Sequence, residues 1–142
     1  MKSVIKIALV SAAMALLSSE ALAQNVVPAE TDAPAASFIK KRYNIKGTWD
    51  ITEADGQTVI NFHDDFKTKG GPDLKLYLSS NSIADLDSSG VEASSLKLSI
   101  LKSNRGAQSY IIPSDINLSD YKSVVIHCEA FSVLWGGFDL SH

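Results

Sequence analysis

At 142 residues, 45% of them apolar, the chain is sized for a single domain with its own core. Its 13 basic and 16 acidic residues give a net charge of −3, with lysines scattered along the chain; that balance excludes a strong field for nucleic acid or an anionic membrane. One cysteine excludes an internal disulfide and a zinc-type thiol pair, and without a C-x-x-C-H motif covalent haem of the c type is excluded too.

The chain opens with the pattern of an export signal. Met1 to Lys6 is a basic region, Ile7 to Leu17 a short apolar run, and Ala21-Leu22-Ala23 a small-x-small cleavage site. The apolar run is too short to span a bilayer, and no later one is longer. Residues 1–23 are therefore expected to leave as a signal peptide, so that 142 residues become 119 beginning at Gln24. Lys2, Lys6 and Glu20 leave together with a net +1, taking the charge from −3 to −4. The expected product is free in the periplasm or secreted, with no stable membrane insertion. Residues 24–43, with Pro28, Pro34 and several alanines, predict a flexible leader that ends in the basic cluster Phe38 to Tyr43, read as a solvated entry to the first strand.

Residues 44–142 predict one all-β domain, an antiparallel sandwich or flattened barrel of seven to eight short strands. Strands are expected at Gly47–Ile51 and Thr58–Phe62, joined by a turn ending in Asp55-Gly56. The loop His63–Asp73 follows, with Asp65 and Asp73 expected to accept backbone N–H groups. Leu74–Leu78 alternates as a half-buried strand; Ser79–Ser95 is a serine-rich loop with at most one turn of helix; Ser95–Ile100 alternates again. Ala107–Ile112 is ended by Pro113, and Ser132–Trp135 and Gly137–Leu140 form a last strand broken by a bulge at Gly136-Gly137.

The stretch Tyr121–Leu140 carries the chemistry. Val124, Val125 and Ile126 are β-branched, and in an extended strand Val124, Ile126 and Cys128 share an apolar face while Val125, His127 and Glu129 share the other. Cys128 is thus directed at the core, and a thiol in apolar surroundings is expected to react slowly. Phe131, Trp135 and Phe138 suit either the core or the wall of an apolar pocket. A blue-copper site needs two histidines and an axial ligand; both methionines lie in the signal, and His63 and His142 are remote in sequence, so no metal site is predicted.

Asp64-Asp65-Phe66, Gly71-Pro72-Asp73-Leu74, Tyr77-Leu78-Ser79, Gly106-Ala107-Gln108-x-Tyr110, Ile112-Pro113 and Tyr121-x-Ser123-Val124-Val125-Ile126-x-Cys128-x-x-Phe131-x-Val133 occur here in the order of one family. Over Gly47 to Leu140 the sequence resembles the DM-thirteen domain, described as an electron-transfer domain. The resemblance implies a cell-envelope redox module with Cys128 as its catalytic residue, used as a thiol or as ligand to a group such as haem. Cys128, His127, Phe131 and Trp135 would line a cofactor site, and an envelope redox protein would be the partner. An aromatic residue usual before the family's cysteine is replaced by His127. The competing reading is a non-catalytic exported binding or adhesion module with Cys128 as a core residue.

Overall fold

The computed structural model describes residues 36–141; the expected signal, its cleavage site and most of the leader fall outside them. The described chain runs β1 (Ala36–Ser37), β2 (Ile39–Lys40), β3 (Ile45–Lys46), β4 (Thr48–Ala54), β5 (Gln57–Phe62), β6 (Lys67–Thr68), β7 (Leu74–Ser79), α1 (Ser88–Ser94), β8 (Ser95–Ile100), β9 (Gln108–Ile111), β10 (Ser123–Cys128) and β11 (Val133–Asp139). Single 3-10 turns cover Leu118–Asp120 and Glu129–Phe131. Seven strands have four residues or more, and β1, β2, β3 and β6 have two each. The pairings are antiparallel and make sheets in the orders β1-β4-β5-β9 and β2-β11-β10-β7-β8, plus the ribbon β3-β6. The fold is an all-β sandwich.

Strand alternation builds the core between the sheets. Leu74, Leu76 and Leu78 of β7 and Val124, Ile126 and Cys128 of β10 meet Ile60 and Phe62 of β5 and Tyr110 of β9. The core takes in part of the expected leader: β1 pairs with β4 and β2 with β11. Phe38 between them is only 9% exposed, and its ring lies 5.1 to 5.5 Å from those of Phe62, Phe66 and Phe138. An isolated phenylalanine beside basic residues carries no period, so the ring's partners were hidden in distant strands.

The last strand is one element with a bulge. Ile126 faces Gly136 but His127 faces Leu134, so Trp135 is the extra residue. Ordinary alternation would put Trp135 and Phe138 on opposite faces, whereas the extra residue lets both reach the core. Gly136, at φ +154°, makes this possible, since a Cβ there would press to 2.8 Å from Ile45 Cδ1 and into the backbone of Ile39.

The outer face of the larger sheet is also covered. Tyr77, Val125 and Leu134 pack against Ile83, Leu86 and Val91, a second small core roofed by α1. The serine-rich stretch supports a seven-residue helix because Asp87 caps it, accepting from Gly90 N at 2.7 Å, and Val91 is buried.

Candidate functional site

Every residue of β10 is buried, which is the reason for its nearly continuous apolar run. Cys128 is its last residue, in register with Leu74 on β7 and Val133 on β11. Its thiol is free, 0% exposed and part of the apolar core. His127 points through the other face of the sheet, so the two neighbours in sequence share no site.

His127 is also 0% exposed. Its ring stands edge-on to Tyr77, with centroids 5.8 Å apart, and Nε2 lies 2.8 Å from Glu92 Oε1 of α1. Nδ1 is buried without a partner. The tautomer protonated at Nε2 fits this best: it donates to a carboxylate that can only accept, leaving a bare lone pair rather than a stranded N–H. Ser132, in the left-handed region at φ 48°, donates to the same Glu92 oxygen at 2.9 Å. These two hydrogen bonds, that from His127 first, hold the Glu92 carboxyl below the usual carboxylate range.

Glu129 begins the turn after Cys128 and receives three groups: Lys97, the Tyr77 hydroxyl, and Lys75 at 3.2 Å. Lys97 above all, then Tyr77 and Lys75, hold its carboxyl down at about 2. Burial first, then Glu129, pushes the Tyr77 phenol well above its ordinary range. Lys75 also pairs with Asp73, so the charges of the cluster are matched internally. Tyr77, Glu92, Ser95, Lys97 and Glu129 border a cavity of about 360 Å³. The arrangement ties α1 and the 129–132 turn to the end of β10, on the face opposite the thiol. Tyr77, Glu92 and Lys97 are not among the site residues expected from the sequence. Tyr77 carried a signal, sharing the odd positions of its strand with Lys75; Glu92 carried none.

The other expected residues are dispersed. Phe131 is 69% exposed in the turn after Cys128. Trp135 is buried in the inner core, its indole donating to Lys69 O at 3.1 Å and its ring against Tyr43, centroids 4.1 Å apart. The four residues therefore do not line one pocket, and a haem does not fit them: Cys128 has no open side on which iron could approach, and His127 faces away from it. Asp65 does accept a backbone N–H, that of Thr48 at 2.9 Å, while Asp73 pairs with Lys75 instead. His63 is held by Asp50 and Thr48, at 2.7 and 2.8 Å. Among the described residues no group of three or more His, Cys, Asp and Glu side chains is placed to hold a metal ion, and no helix is long and apolar enough to cross a membrane.

The model of the family described as "Electron transfer DM13" matches residues 37–140, well over half of the chain and beginning one residue before Phe38. Neither curated proteins nor solved structures give a match.

Proposed function

We propose, from the premise that the chain belongs to the electron-transfer DM13 family, that it is a redox module of the cell envelope whose working group is the Cys128 thiol. The observation that carries the reading is the position of the one thiol: it ends β10 within the family-matched residues, next to a turn pinned by its own hydrogen-bond cluster. The sealed core favours the thiol over a haem ligand. Envelope proteins commonly carry disulfides, so the partner is a disulfide-bearing protein. Cys128 gives its proton to water, and the thiolate attacks one sulfur of that disulfide; a mixed disulfide forms while the other sulfur leaves as thiolate. The reaction requires the strand end to open, and β10 and β11 end at the Cys128–Val133 pair, where pairing is most easily frayed.

The test is acid quenching and thiol alkylation of cells making the full chain. A mixed disulfide on the parent protein, absent from Cys128→Ser, is the expected result. A Cys128-dependent haem band in protein from its native compartment would instead sink the thiol reading. The binding-module reading draws on the complete burial of Cys128 among apolar side chains; it leads if no adduct and no cofactor are found and Cys128→Ala keeps the function of the parent in cells.

A further inference from the structure

Three cations that lie apart in sequence are brought together by the β3–β6 ribbon. β3 and β6 place Lys46 directly opposite Lys67, and Lys67 is in turn bridged to Arg105 across a third segment of chain. Antiparallel register partners project to the same side, so three exposed cations stand in a row. Like charges placed directly opposite destabilise a sheet. None of the three is relieved by a carboxylate: the ion pairs among the described residues belong to His63, Lys75, Lys97 and His127. Asp65, close by in sequence, is committed to Thr48 N and Oγ1.

Beside this row lies a cavity of about 460 Å³ lined by Tyr43, Asn44, Lys46, Lys67, Thr68 and Lys69. Lys69 Nζ sits 4.5 Å from the centre of the Tyr43 ring and Arg42 lies 6.0 Å from it on the same ring. The Tyr43 ring rests on Trp135, which fixes that wall to the core. The cavity thus offers three ammonium groups and the Asn44 amide beside an aromatic wall, and no carboxylate of the described residues is ion-paired with them. The chain as a whole is acidic, so this concentration of positive charge is local.

We infer that this cavity binds a multiply charged phosphate-class oxyanion, either a free phosphate compound or the headgroup of an anionic phospholipid. The bound anion supplies the counter-charge that the Lys46–Lys67–Arg105 row lacks, through charge-assisted hydrogen bonds. The site is separate from Cys128 and does not depend on the redox reading.

The full chain is titrated with tripolyphosphate by calorimetry, and in parallel sedimented with phosphatidylcholine vesicles with and without phosphatidylglycerol, both at about 0.15 M salt. Saturable binding to either probe is expected. It should weaken about tenfold or more in Lys46→Gln/Lys67→Gln, each lost contact being a charge-assisted one. The control Lys102→Gln/Lys122→Gln, with the same change in net charge, should bind like the parent. Tripolyphosphate binding identifies a free phosphate ligand; vesicle binding alone, with the same variant pattern, identifies a headgroup. Binding to neither probe, or equal weakening in both double variants, overturns the proposal. Without ligand, Lys46→Gln/Lys67→Gln should melt no lower than the parent, because a repulsion has been removed. A clearly lower melting temperature would show that the row is stabilised from within, and the argument for an external anion would fail.

Discussion

Replacing Cys128 tests its burial and conditions every experiment on its chemistry. The side chain has no exposed surface and lies in the apolar core, in register with Leu74 and Val133 on the neighbouring strands. Serine keeps its shape but puts a hydroxyl where the surroundings are apolar, at a cost of about 1–3 kcal/mol. Alanine introduces no polar atom and loses only the contacts of one sulfur, about 1 kcal/mol by analogy with small core truncations. Urea unfolding should therefore rank parent above Cys128→Ala above Cys128→Ser, with unchanged m-values. For a domain of this size about 2 kcal/mol lowers the melting temperature by roughly 8 °C. Thiol labelling reads the same burial dynamically. If only global unfolding exposed the sulfur, the folded protein would label more than about a thousandfold slower than the denatured one. The mechanism proposed above expects protection short of the global stability, because the strand end opens alone. A Cys128→Ser protein as stable as the parent, or folded labelling as fast as denatured, would refute the buried thiol altogether.

Acid should loosen the turn after β10. The Glu129 carboxyl is depressed to about 2 in the folded state, against about 4.3 for an ordinary glutamate, so its contribution is complete above that ordinary value and is lost as pH falls towards 2; Glu129→Gln should flatten this acid limb in urea unfolding between pH 5 and about 2. Gly137→Ala should cost more than about 3 kcal/mol or abolish folding, since a Cβ there would lie 2.8 Å from Ile83 Cδ1 and against the Val124 carbonyl; a soluble variant with parental melting would contradict the close pairing of β10 and β11. Tyr110→Phe should cost about 1–3 kcal/mol in thermal unfolding, because the buried hydroxyl accepts from Lys102 N at 2.9 Å and donates to Gln108 Oε1 at 2.6 Å. Mass spectrometry of exported protein should find Gln24, cyclised or not, at the N-terminus; a membrane-bound form retaining Met1 would contradict the signal reading.

Local pattern carried most of the sandwich. Alternation in Leu74–Leu78 and the β-branched run before Cys128 marked strands and their inner faces, while the bulge expected at the double glycine falls one residue earlier, at Trp135. What escaped depends on contacts distant in sequence. Alternation places His127 with Val125 and Glu129 on the face opposite Cys128, but nothing local shows that α1, 35 residues earlier at Glu92, roofs that face and buries it. The unbroken apolar run Val124-Val125-Ile126, in which both faces of the strand carry β-branched side chains, should have suggested burial on both sides. The lysines looked scattered because Lys46, Lys67 and Arg105 become neighbours only through cross-strand pairing. Cys128 was placed on the correct face by alternation alone, yet alternation cannot say whether a covered thiol ever opens.

The position of β11 has a consequence for how the chain reaches its final form. The last strand of the described residues, β11, is an interior one, lying between β2 from the start of the domain and β10. Until Val133–Asp139 has emerged, β10 keeps an unpaired edge, β2 has no partner, and Phe38 lacks the Phe138 ring it packs on. Closure of this sheet thus joins residues about a hundred positions apart, and such long loops are closed late and slowly. A chain built this way completes this part of its core only once β11 has been made.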